Sequence, residues 1–199
     1  MKKTTKLLSI LMMLAMALAI ATSSAAAQLN SNVGTVTLSA TLPESLTVSV
    51  TGGAVVNFTL AANTAANPGS TTSTIQTAWV LSPGRTKVTV WAWVANGAAA
   101  LTDGAGDNIA ASQVTATAAG SGSAGGALNT SVSGGANVPA FITPAAATGV
   151  QIGNVAVTGA NKASSTTTTL TWNINTTATP QLPAATYTGT VNIQAQATP

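Results

Sequence analysis

Cysteine and histidine are both absent from this chain, charged residues make up 5% of it and aromatic residues 4%. Without histidine or cysteine there is no Ser-His or Cys-His nucleophile pair, no thiolate chemistry and no ordinary zinc, copper or haem ligand set. Without cysteine there is also no disulfide framework, the usual support of small exported proteins. Stability must therefore come from a well-formed core, from association with further copies, or from both. No enzyme activity, cofactor or metal centre is expected.

The start of the chain explains much of its apparent charge. "MKKTTK" is basic, "LLSILMMLAMALAIA" is apolar, and "TSSAAA" ends in small residues with Ala25 and Ala27 at the positions a signal peptidase reads. Residues 1–27 are thus expected to be a secretory signal peptide. Their apolar run is shorter than the about 20 residues that span a bilayer, and no cysteine follows it to take a lipid. A protein starting near Gln28, without a membrane partner, is expected in the periplasm, outside the cell or on its surface. All four methionines lie in the leader. Beyond it, Arg85, Lys87 and Lys162 face Glu44, Asp103 and Asp107, so residues 28–199 are formally neutral. With no basic patch to hold phosphates, no nucleic-acid partner is expected.

What the remainder does contain is period-two patterning rich in Val, Ile, Thr and Trp. Nine stretches read as strands: 36–42, 46–50, 55–60, 75–81, 88–94, 114–118, 150–157, 168–174 and 187–197. "TGG", "NPG", "SPGR", "NG" and "TGAN" supply turns between them. The expected fold is all-β, one antiparallel sandwich of about nine strands over residues 28–199. Residues 118–137, "AAGSGSAGGALNTSVSGGAN", hold too little apolar surface to order themselves and are expected to form a loop within that domain.

Few side chains suggest a site. In "VTVWAWV", Val88, Val90, Ala92 and Val94 alternate with Thr89, Trp91 and Trp93. Trp91 and Trp93 are expected in the core, with an inter-subunit face and a sugar-stacking platform as the alternatives. Trp79 and Trp172 read as core, and Phe58, Phe141 and Tyr187 as core or corner residues. Asp103, Asp107 and Asn108 in "LTDGAGDNI" carry the oxygen ligands calcium prefers, but a solvated turn is the simpler reading. The glycosylation-like triplets at Asn57, Asn129 and Asn175 are expected by chance in so threonine-rich a chain.

Residues 36–60, "VTLSATLPESLTVSVTGGAVVNFTL", and 182–197, "LPAATYTGTVNIQAQA", resemble the first and last strands of secreted bacterial fimbrial-type sandwiches, in particular the spore coat U and pilin-like group. The chain departs from that group in having no cysteine and in placing Ala185 where its final turn has glycine. The resemblance implies an Ig-like, fimbrial-type sandwich that assembles by strand exchange. The donor would be the segment from Gln28, with Val36, Leu38 and Ala40 alternating, although pairing of 36–42 within its own sandwich is the simpler expectation. A structural or surface protein of pilus, fimbria or coat type that associates with its own copies is therefore expected. A secreted carbohydrate-binding or adhesin module using Trp91 and Trp93, with glycans as partners, is the alternative.

Overall fold

The computed structural model describes residues 31–120, 122, 125–131, 147–179 and 181–199. The expected signal peptide with its cleavage residues Ala25 and Ala27, and Phe141, lie outside the described residues. The chain divides between Thr41 and Leu42 into two units. In the first, residues 31–41 form no strand, and Val33, Val36 and Leu38 are 84–89% exposed.

The second unit is all-β and antiparallel. Its strands are β1 (Ser45–Gly52), β2 (Asn67–Pro68), β3 (Ser73–Val80), β4 (Lys87–Val94), β5 (Leu101–Thr102), β6 (Asn108–Ile109), β7 (Val114–Gly120), β8 (Gly125–Ala127), β9 (Thr130–Ser131), β10 (Thr148–Ala156), β11 (Ala163–Ile174) and β12 (Asn192–Thr198). One sheet runs β1-β3-β11-β7-β8, with β2 also on β11; the other runs β12-β4-β10-β9; β5 and β6 make a separate hairpin. Apolar alternation drives the pairing. Ile75, Leu170, Trp172 and Ile174 of the first sheet meet Val90, Ala92, Val94 and Ile152 of the second, and all are 6% exposed or less. Burying each such side chain contributes about 1.5–3 kcal/mol relative to leaving it in water. A smaller cluster of Trp79, Leu81, Val88 and Val157 continues the core.

Several sequence expectations are corrected. Residues 36–42 and 55–60 are not strands; the second contributes only a single bridge, Phe58 to Gly69. The last strand begins at Asn192 rather than at Tyr187. Part of the expected 118–137 loop is ordered into sheet, because β7 continues to Gly120 and β8 and β9 follow. Glycine makes this possible: Gly120, Gly125 and Gly126 adopt positive φ, so low apolar content was compensated by backbone pairing.

Turn chemistry anchors the ends of the sandwich. Before β1, Glu44 accepts the Ser82 N–H at 2.6 Å and pairs with Arg85 at 3.4 Å. Lys162 donates to the carbonyls of Pro83 and Arg85. The β3–β4 turn is thus held from two sides. Beyond the far end of β4, the Asp103 carboxylate accepts three backbone N–H groups, from Ala105, Gly106 and Asp107, at 2.8–3.1 Å.

Candidate functional site: an open groove beside the last strand

If β1, β3, β11 and β7 are read as the A, B, E and D strands of an immunoglobulin-type sandwich, β12 and β4 take the places of F and C. β10 occupies the outer place beside C although it follows D in sequence, so the connection departs from that pattern. On the other side of β12, where a G strand would lie, no strand pairs with it among the described residues. The consequence is visible in burial. Every residue of β12 is half-buried, including the core-facing Ile193, Ala195 and Ala197, whereas its neighbour β4 is buried almost throughout.

Near the start of β12 lies a groove of about 980 Å³. Residues after β1 contribute Val55, Phe58 and Leu60; residues leading into β12 contribute Leu182, Tyr187 and Val191; Ile75, Val114, Trp172 and Ile174 from the core line it as well. The groove therefore reaches the hydrophobic interior.

Local chemistry holds both runs out of the sheets. The chain leaves β1 at Gly53, whose φ of +62° and whose fit, with a Cβ at only 2.0 Å from the Thr72 carbonyl oxygen, exclude any other residue. Asn67 and Thr176, 2% and 1% exposed, then fix residues 61–64. Asn67 accepts the Ala61 N–H at 2.7 Å and donates to the Ile174 carbonyl at 2.9 Å, while the Thr176 hydroxyl donates to the Ala61 carbonyl and accepts the Thr64 N–H. On the other run, Thr188 bridges to Thr102, the Tyr187 hydroxyl donates to the Pro183 carbonyl, and Gly189 lies against the Ala100 carbonyl, where a Cβ would sit at 1.9 Å. Sequence reading missed Asn67 and Thr176; a buried polar residue has no period-two signature. It found Phe58 and Tyr187 as core or corner residues, and both pack against the core from the groove.

The other candidates are distributed elsewhere. Val36, Leu38 and Ala40 stand exposed on the unpaired N-terminal segment, so the expectation that 36–42 pairs within its own sandwich is overturned. Trp172 and Trp79 are core, as expected. The core clusters take the Val88, Val90, Ala92 and Val94 face of β4, whose smaller side chains fit between the sheets, and Trp91 is buried as expected. The indoles occupy the opposite face, Trp91 at 5% exposure and Trp93 half-buried.

Asp103 is engaged by its own turn, which lowers its pKa, with the Ala105 N–H as the largest cause. Asp107 donates its backbone N–H to that carboxylate, and Asn108 bonds the Gly106 carbonyl. Among the described residues, no group of three or more His, Cys, Asp or Glu is arranged to hold a metal ion, and no helix is long and apolar enough to cross a membrane. No family model matches this chain, and neither a curated protein nor a solved structure is detectably similar to it.

Proposed function

We propose that residues 28–199 form a secreted, non-enzymatic structural subunit of a surface assembly of pilus, fimbria or coat type, joined by strand exchange. The observation that carries this reading is where the exposed apolar residues lie. Among the described residues, the large hydrophobic side chains left in water are Val33, Val36 and Leu38 on the N-terminal segment, Leu42 directly after it, and Val50 and Val55 at the groove. An unpaired segment and an unfilled groove in one chain are complementary halves of a joint. A strand added at a sheet edge gains affinity from main-chain hydrogen bonds, and its alternate side chains set the register. Val36, Leu38, Ala40 and Leu42 have the required period of two. The resemblance of residues 36–60 and 182–197 to fimbrial-type sandwiches supports the same reading, as does the nearly uncharged surface, which favours association.

Light scattering after size-exclusion chromatography of residues 28–199 tests it. Leu38→Asp should block the donor and Val55→Asp the acceptor, each giving monomers. Mixing the two variants should restore a one-to-one dimer, because each keeps the half that the other lacks. A wild-type chain that stays monomeric at high concentration, or a mixture that fails to pair, refutes the proposal.

A further inference from the structure

Asparagine is followed by glycine at one place in the chain, Asn96 and Gly97, in the turn that leaves β4. A backbone nitrogen there lies one residue after a side-chain amide, so a five-membered ring can join them. Asn96 is exposed, and its Oδ1 accepts the Ala98 N–H at 3.0 Å. A donor at that oxygen makes Cγ more electrophilic and stabilises the oxyanion that forms when Cγ is attacked. The attacking group is the Gly97 nitrogen. Its N–H makes no hydrogen bond among the described residues, and glycine has no side chain to crowd the approach.

Elsewhere the fold withholds one of these conditions. Asn175 makes the same contact, its Oδ1 accepting the Thr177 N–H at 2.9 Å, but the Thr176 N–H that follows it donates to the Thr64 carbonyl at 2.9 Å, and Thr176 is buried and β-branched. After Asn63, the Thr64 N–H donates to the Thr176 hydroxyl. Asn67 is followed by proline, which has no N–H. Asp103 and Gly104 have the right spacing, yet the Gly104 N–H donates to the Thr102 hydroxyl at 3.1 Å, and three backbone N–H groups hold Asp103 as a carboxylate, which offers no leaving group.

We infer that Asn96 is a site of self-modification, at which the Gly97 nitrogen closes on Asn96 Cγ within the folded protein and the asparagine becomes aspartate or isoaspartate. The Gly97 nitrogen gives its proton to hydroxide as the N–Cγ bond forms; the Cγ–Nδ2 bond then breaks, and the side-chain nitrogen takes a proton from water and leaves as ammonia. Water opens the resulting succinimide. Addition at the side-chain carbonyl gives aspartate, and addition at the main-chain carbonyl gives isoaspartate. Either product adds one negative charge beyond the end of β4, where Asp103 and Asp107 already lie, and takes the formally neutral residues 28–199 to a net charge of −1. The two differ in fit. The Gly97 carbonyl accepts the Ala111 N–H at 2.9 Å, and Gly97 lies so close to Thr148 that a Cβ would sit 2.7 Å from that side chain. Aspartate keeps this backbone, whereas isoaspartate lengthens it by one carbon and displaces Gly97. The step requires neither the groove nor strand exchange.

Peptide mapping by mass spectrometry tests the inference on the purified protein, kept folded in warm, mildly alkaline buffer beside a sample unfolded in guanidinium chloride. In the folded sample the peptide holding Asn96 should gain one mass unit at least about tenfold faster than the peptide holding Asn175, a barrier lower by about 1.4 kcal/mol. The rate should rise with hydroxide concentration. Asn96→Gln should abolish the gain, and converted chains should be retained longer on an anion exchanger. Asn96→Asp should keep the wild-type melting temperature, while the isoaspartyl fraction should melt lower. Conversion at Asn96 in the unfolded sample but not in the folded one overturns the inference, because the turn would then protect the amide. So does equal conversion of Asn96 and Asn175 in the folded protein, or a rate indifferent to pH.

Discussion

Trp172 donates its indole N–H to the Ser73 hydroxyl across 2.9 Å, and that hydroxyl in turn donates to the Gly53 carbonyl at 2.7 Å. One side chain thus joins the core to the point where the chain leaves β1 for the groove. Ser73 is 5% exposed, so Ser73→Ala strands both a donor and an acceptor. A loss of about 1–3 kcal/mol is expected, read from the urea midpoint at unchanged slope. An unchanged midpoint would show that the relay is not stabilising.

Asn67 should matter comparably, for a different reason. Its amide ties the Ala61 N–H to the Ile174 carbonyl, and Asn67→Ala would leave both without that partner. A destabilisation of about 1–3 kcal/mol is expected. Faster hydrogen exchange at Ala61 should accompany it, since that amide donates to Asn67, whereas Thr64, whose amide donates to Thr176, should change less.

Gly189 tests the other run. A Cβ at 1.9 Å from the Ala100 oxygen forces residues 182–190 away from Thr102. Gly189→Ala is expected to lower stability by about 1–3 kcal/mol and to weaken capture of a donor strand, measured as the dissociation constant of the mixed-variant dimer. Normal pairing in a destabilised Gly189→Ala protein would separate the groove from the turn that shapes it.

Glu44 gives a pH dependence with a definite sign. Its pKa falls from an ordinary 4.5 to about 2, chiefly through the Ser82 backbone N–H and also through Arg85. A carboxylate with a depressed folded pKa binds fewer protons than in the unfolded chain. Its contribution is therefore present above the unfolded value and lost as pH falls from about 4.5 towards about 2. Thermal melts across that window should decline less steeply in Glu44→Gln than in wild type; because the pair is exposed, the difference should be small and should shrink in salt.

Much of the sandwich was legible because alternation is a local signal: 46–50, 88–94 and 168–174 fall within strands whose inward residues form the core, and 75–81 runs one residue past the end of β3. The same signal misled at 36–42 and 55–60. Alternation there reports a capacity to pair, and a strand exists only if a partner edge is present in the same chain. Gly53, Asn67 and Thr176 decide that residues 55–60 stay out of the sheets, through contacts far apart in sequence. The tryptophan pair was legible in part: Trp91 is buried, as its size argued, and Trp93 half-buried, yet the space between the sheets at β4 is filled by valine and alanine.

The two anchored turns place the few charges of this neutral body at opposite ends. Arg85, Lys87 and Lys162, with Glu44, gather at the start of β4, and Asp103 and Asp107 lie in the hairpin beyond its other end. A net-neutral body of this kind is an electric dipole along its strands, positive at one pole and negative at the other. If the chain assembles as proposed, copies approaching head to tail would attract and copies approaching like pole to like pole would repel, which would bias the polarity of the assembly before any groove is filled. Because such fields are screened within about 10 Å at 0.1 M salt, the rate of joining should fall with ionic strength while the finished joint, sealed by apolar side chains, should not loosen.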